Sequence, residues 1–216
     1  NLYCAFAIHP HEASDMDADW PKLEELARLA KKSYPKKLVA IGECGLDYYF
    51  TKKYRLHQLE LFRRHLLLAK ELNLPLSFHI RPSRENPDDA FDDAFLLLEE
   101  IEKNSDFKVE GVVHSFSSGL TQLKRVVSRG LMVGVNGIAS FKISSDQEAA
   151  YRAIPLESLV LETDAPYLTP VPYRGKVNEP KYVTRVAEVM ADFLGVAPRE
   201  IASATSENAK KLFKLQ

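Results

Sequence analysis

Cysteine is scarce: Cys4 and Cys44 are the two in a chain of 216 residues, and they fall in no metal-binding spacing. A disulfide scaffold and a cysteine-built zinc site are excluded, and a reducing cytoplasm (or the nucleus of a eukaryotic cell) is the expected location. Charge of one sign is also lacking. The 29 basic residues against 30 acidic ones leave a formal net charge of −1, so no global basic field advertises nucleic acid. A phosphate-bearing substrate handled by a local cluster remains compatible. Long hydrophobic runs are missing as well. The apolar stretches are strand-sized and flanked by charge, which excludes a bilayer-spanning helix and anything like a signal peptide. No linker, low-complexity segment or charge block divides the chain, so one domain over residues 1–216 is expected. With 45% hydrophobic and 27% charged residues, a sizeable core is available.

Short β-rich runs alternate with helical stretches. "LYCAFAIHPH" (2–11) reads as a strand, and "WPKLEELARLAKKS" as a helix with Leu23, Leu26, Ala27 and Ala30 at helical spacing. Asp19 is placed to cap that helix and Pro21 to sit in its first turn. "KLVAIGECGLDYY", "LPLSFHIRPS", "FKVEGVVHSF", "LMVGVNGIASF" and "LESLVLETDAPYL" read as five further strands, each followed by a helical stretch. Gly130 stops the helix "GLTQLKRVVSRG". Strand–helix alternation of this kind predicts an α/β chain with a parallel sheet.

The chemistry-bearing residues gather where the apolar runs end. His9 and His11 close the first run, Glu43 and Asp47 the second, His79 and Arg81 the third, His114 the fourth, and Asp164 the sixth. In "VLETDAPYL" an apolar run leads into Glu162 and Asp164, and ionised carboxylates at a buried strand end need a compensating partner. Imidazoles and carboxylates at corresponding strand ends form a donor set for a divalent metal, assembled by the fold rather than by local spacing. In an α/β barrel that end of the strands carries the active site. His57 and His65 lie within one long helix, solvated or packed, with no assigned role. Alternation points Glu162 away from the neighbours of Asp164 or toward an outer partner, in a supporting role at best.

"AIHPHEA", "AIGECGLDYY", "LPLSFHIR", "GVVHSFSSG", "VGVNGIASF", "LVLETDAPYLTPVPYRGKVNEP" and "SENAKKLF" together resemble the TatD family of metal-dependent deoxyribonucleases, in the family's order and over nearly the whole chain. The resemblance implies a TIM-type (β/α)8 barrel with two divalent ions, Mg2+ or Zn2+/Mn2+, at one face. It implies Glu43 as the metal-bridging carboxylate, His79 and His114 as metal ligands, and Asp164 as a ligand that positions the attacking water. Family members open on a strand ending in a His-x-His pair, whereas this sequence starts at the equivalent of the third strand, so the first two β/α units are expected to be missing. The implied activity is phosphodiester hydrolysis, a 3′-to-5′ exonuclease on single-stranded DNA or on RNA, by a monomer with no membrane partner. His9, His11, Arg81 and Arg174 are the expected substrate contacts. Tyr48, Tyr49 and Phe50 either stack on bases or pack. The loop "PYRGKVNEP" is expected to be mobile. The competing readings are another amidohydrolase-type hydrolase of esters or amides, and a truncated, non-catalytic binding module.

Overall fold

The computed structural model describes residues 2–103 and 106–215. The chain gathers into two compact units, Asn1–Gly111 with Leu212–Gln216, and Val112–Lys211.

The first unit contains β1 (Cys4–Phe6), α1 (Met16–Ser33), β2 (Leu38–Asp47), α2 (Arg55–Leu72), β3 (Leu76–Arg81) and α3 (Asp89–Glu102). The strands are parallel, with β2 between β1 and β3. A central parallel strand is covered on both faces, which is why β2 reads as a nearly continuous apolar run. Leu38, Ala40, Ile41, Cys44 and Leu46 are all buried. α2 lays Leu61, Phe62, Leu66 and Ala69 against the sheet, and the Phe62 ring meets Phe78 of β3 edge-on with centroids 5.8 Å apart. Each such fully buried side chain stabilises the fold by roughly 1.5–3 kcal/mol. α2 stops at Asn73, which takes the left-handed conformation at φ 49°.

Two expectations for this unit are corrected. The first strand is only Cys4–Phe6, because Pro10, which lacks an N–H, opens a 3-10 turn over Pro10–Asp15. His9 and His11 therefore flank the start of that turn rather than ending a strand. α1 begins at Met16, so Asp19 and Pro21 lie inside the helix; Asp19 is not its cap.

The second unit contains most of β4 (Gly111–Val113), α4 (Leu120–Ser128), β5 (Met132–Val135), α5 (Ser145–Arg152), β6 (Leu159–Leu161), α6 (Val183–Leu194) and most of α7 (Pro198–Phe213). β4 pairs with β5 and β5 with β6, again in parallel. α5 starts on a capping box. Ser144 accepts from the Gln147 backbone N–H, and the Gln147 side chain accepts from that of Ser144. α6 buries Val186, Ala187, Val189, Met190 and Ala191 and ends at Gly195, φ 67°. The expected order, each strand followed by a helix, is thus observed within both units.

Candidate active site

In the first unit β2, β3 and the turn that follows β1 bring five polar side chains together, those of His9, His11, Glu43, Asp47 and His79. β2 carries one extra residue against β3: Gly42 pairs with Ser77, but Cys44 already pairs with Phe78. The extra residue is Glu43, and a bulge of this kind turns its side chain out of the regular alternation. The flanking glycines make it possible. A Cβ on Gly45, whose φ is +143°, would lie 2.1 Å from the His79 carbonyl oxygen. A Cβ on Gly42 would lie 2.6 Å from the Ser77 Cβ. "GECG" is therefore the motif of a strand pressed against β3 with one carboxylate expelled from the ladder.

His79 is held between two acids. Its Nε2 lies 2.9 Å from Asp47 Oδ2 and its Nδ1 lies 2.7 Å from Glu43 Oε1. Asp47 is buried, and its Oδ2 also receives His11 Nε2 at 2.9 Å while its Oδ1 accepts the Tyr49 backbone N–H at 3.0 Å. Gln58 of α2 bonds both backbone groups of Asp47, at 2.8 and 2.9 Å. Burial pushes the Asp47 carboxyl up, but the hydrogen bond and charge of His79, the Tyr49 amide and His11 outweigh it and hold the pKa at about 2. Burial pushes His79 down; its bonds to Asp47 and Glu43 and the charges of both acids reverse that and raise it. With the neutral ring's proton on Nε2, donated to the ionised Asp47, the Nδ1 lone pair faces Glu43 Oε1. A lone pair and a carboxylate oxygen 2.7 Å apart need a cation between them, either a proton or a metal ion.

His9 also reaches this centre, with Nε2 3.6 Å from Glu43 Oε1, and one donor atom each from His9, Glu43 and His79 lie within 4.8 Å of one another. Its tautomer limits its role. His9 Nδ1 accepts the His11 backbone N–H at 3.2 Å, which leaves the proton of the neutral ring on Nε2. His9 is thus a hydrogen-bond donor toward Glu43 or a bound oxygen rather than a ligand. Its position is set from behind. His65 of α2, fully buried, accepts the Ile8 backbone N–H on Nε2 at 3.0 Å and donates from Nδ1 to the Leu61 carbonyl at 2.9 Å. The Trp20 ring packs on it edge-on, and burial lowers its pKa to about 4.

The second unit repeats the device with different residues. His114 Nδ1 lies 2.7 Å from Glu162 Oε2, which leaves its Nε2 lone pair 3.5 Å from Asp164 Oδ1. Glu162 also accepts the Ser115 backbone N–H at 2.5 Å. Gly134 of β5 makes room for it, since a Cβ there would lie 3.0 Å from Glu162 Oε2. Asn136 braces Ser115 through a 2.8 Å bond to its hydroxyl. Ser115 and Asp164 both have positive φ, 51° and 56°, a conformation that costs non-glycine residues energy and aims side chains at functional sites.

Each expected site residue is accounted for. Glu43, His79, His9 and His11 share the first cluster, and His114 and Asp164 share the second. Arg81, following His79 by two residues, reaches within 3.9 Å of Asp47 Oδ2 and lies over the Tyr49 ring. Arg174 lies over Phe141, its Cζ 4.0 Å from the ring centroid. The loop carrying Arg174 is cross-tied at several points. Buried Asn178 bonds the carbonyls of Thr163 and Tyr167 at 2.6 and 2.5 Å, and the Thr169 hydroxyl bonds the Lys176 carbonyl at 2.6 Å. Asp47, Glu162 and His65 are the functional residues that sequence reasoning underrated. Their signal was present as a carboxylate two or four residues from an assigned ligand and a histidine on the apolar face of α2. The 280 Å3 cavity of the first unit is unrelated to this chemistry, because Leu38, Val39 and Pro75 line it at the opposite, N-terminal end of the strands.

Imidazole and carboxylate donors at parallel strand ends, each ring locked by an acid behind it, define a hydrolase that works with divalent metal. The donor set fits such an ion: the oxygen and nitrogen atoms that face each other have no proton to share when both rings are neutral. The comparisons agree. The family profile described as TatD related DNase matches residues 1–214, and the chain belongs to that family. It is 38% identical to the uncharacterized metal-dependent hydrolase YabD of Bacillus subtilis, over 99% of this chain and 78% of that one. It is 37% identical to YcfH of Escherichia coli K12, likewise a metal-dependent hydrolase, over 100% and 75%. The crystal structure of the TatD homologue YJJV from Escherichia coli superposes with a TM-score of 0.82 at 31% identity, covering 100% of this chain and 78% of that one. A TatD-family hydrolase from Entamoeba histolytica shares the fold with a TM-score of 0.80 at 24% identity, covering 99% and 75%. Among the described residues no helix is long and apolar enough to cross a membrane.

Proposed function

We propose that this hydrolase cleaves phosphodiester bonds as a 3′-to-5′ exonuclease on single-stranded DNA, with RNA as the alternative polymer, acting as a monomeric, single-domain cytoplasmic enzyme. The observation that carries this reading is the pairing of an acid-locked imidazole lone pair with a carboxylate oxygen, once at His79 and Glu43 and once at His114 and Asp164. Such pairs would suit divalent ions, Mg2+ or Zn2+/Mn2+, held by Glu43 and His79 in the first unit and by His114 and Asp164 in the second. Ions bound there supply polarisation of a phosphoryl oxygen and lower the pKa of water from ~15.7 toward ~7.

The chain's own residues do the remainder. Asp164 accepts a proton from the attacking water as its oxygen bonds to phosphorus. The bond from phosphorus to the leaving sugar oxygen breaks, and that oxygen takes up a proton from solvent. His9 and His11 contact the substrate, His9 donating from Nε2 to a substrate oxygen, and Arg81 and Arg174 meet phosphate charge. Asp47 and Glu162 hold the rings of His79 and His114 in the tautomers that leave the correct nitrogen open.

The test uses chelator-stripped protein titrated with Mg2+, Mn2+ or Zn2+ against single strands labelled at either end. Mononucleotides are expected to appear from the 3′ end only with metal, and Glu43→Ala is expected to abolish release while leaving the thermal midpoint in place. Metal-loaded protein that hydrolyses an ester or amide but no phosphodiester overturns the proposal.

A further inference from the structure

Two guanidiniums lean on one ring beside the first cluster. Arg81 Cζ lies 3.7 Å from the Tyr49 ring centroid, and Arg84 Cζ lies 4.4 Å from the same centroid. The next residue, Phe50, stands perpendicular to Tyr49 with centroids 5.0 Å apart, and it is 70% exposed. Arg81 Cζ is 5.3 Å from the Phe50 centroid, and the His11 ring is 6.4 Å from it. Tyr49 is thus covered by cations, while Phe50 offers an open aromatic face at the border of the histidine cluster.

The placement follows from the site. The Tyr49 backbone N–H is bonded by Asp47, the carboxylate that orients His79 and His11, so the loop displaying Phe50 starts from the catalytic cluster itself. Arg81 follows His79 by two residues on β3, and strand alternation sends both side chains to the same face. An open aromatic ring next to braced cations is the chemistry that recognises a single-stranded nucleic acid, in which bases are free to stack and phosphates recur at regular intervals. In a duplex each base already stacks on its neighbours and offers no face.

We propose that Phe50, Arg81 and Arg84 form a subsite for the nucleotide adjoining the scissile bond, the Phe50 ring stacking on its base and the two guanidiniums, braced on Tyr49, holding phosphates. This rests on the phosphodiesterase reading above and adds what that reading leaves open: how the strand is gripped and why it is single.

The test is fluorescence anisotropy of the full chain with labelled oligothymidylate and with an abasic sugar-phosphate strand of the same length. Phe50→Ala is expected to weaken oligothymidylate binding about tenfold and the abasic strand far less, and Phe50→Trp to restore the difference. Arg84→Ala is expected to weaken both strands and to reduce the slope of log affinity against log salt by about 0.7. Equal loss for both strands in Phe50→Ala, or unchanged oligothymidylate binding, overturns the subsite. The two readings fail separately. A wild type that releases nucleotides yet binds strands without regard to Phe50 sinks the subsite alone. A wild type that neither binds nor cleaves single strands sinks both.

Discussion

Asp47 Oδ2 receives two imidazoles at once, His11 Nε2 and His79 Nε2, each at 2.9 Å. One buried carboxylate oxygen therefore sets the tautomer of a metal-ligand candidate and of its neighbour toward substrate. In Asp47→Asn the amide can accept from one ring through its oxygen but presents N–H groups to the other. Metal affinity or kcat is expected to fall about 10–100-fold. Competition titration with a chromogenic chelator, alongside kcat, checks this; wild-type values on both scales would refute the role.

Glu162 does the same for His114 while also accepting the Ser115 backbone N–H. Glu162→Gln has one acceptor oxygen for two donors. The expected outcome is a loss of about tenfold or more in metal-dependent turnover, with a smaller loss of stability, about 1 kcal/mol, from the weakened Ser115 bond. Turnover at saturating metal and a urea titration separate the two effects.

Gly45→Ala tests the bulge that expels Glu43. The new Cβ would sit 2.1 Å from the His79 carbonyl oxygen at a φ of +143°. The backbone must shift, at a cost of about 2 kcal/mol or more. A clear drop in the urea midpoint is expected, and an unchanged midpoint would show that the ladder tolerates the methyl group.

His65 predicts a pH dependence of stability. Its folded pKa, about 4, lies below the ordinary 6.5 because burial penalises the imidazolium. Between those values the unfolded chain binds more protons than the folded one. Stability from this group is therefore full above 6.5 and is lost as pH falls from 6.5 to about 4, by roughly 3 kcal/mol in all. His65→Leu removes the titrating group but strands the Ile8 N–H, costing about 1–3 kcal/mol at neutral pH. Urea titrations of both proteins between pH 4 and 7.5 should therefore converge on the acid side; parallel curves would count against the assignment.

Much of the fold was legible in local pattern. Alternating strand and helix runs and the Gly130 stop follow from periodicity and composition, because apolar spacing of 2 and 3.6 residues acts over a few neighbours. Glu43, His79, His114 and Asp164 were legible as polar residues closing apolar runs. The early end of β1 and the early start of α1 were not read, although Pro10 and the 3-10 turn it opens lie between them.

By itself the sequence determined the parallel strand–helix order, the donor types at the strand ends and the family to which those motifs belong. Only the tertiary structure decided which atom of each residue does what. Glu43 leaves the ladder because β3 presses on Gly42 and Gly45. Glu162, expected in a supporting role at best, has that role by holding His114, and Asp47 holds two rings. Histidine has two ring nitrogens and a carboxylate has two oxygens. A sequence specifies the groups, but only contacts between residues distant in the chain choose which nitrogen carries the proton and which is left open for a cation.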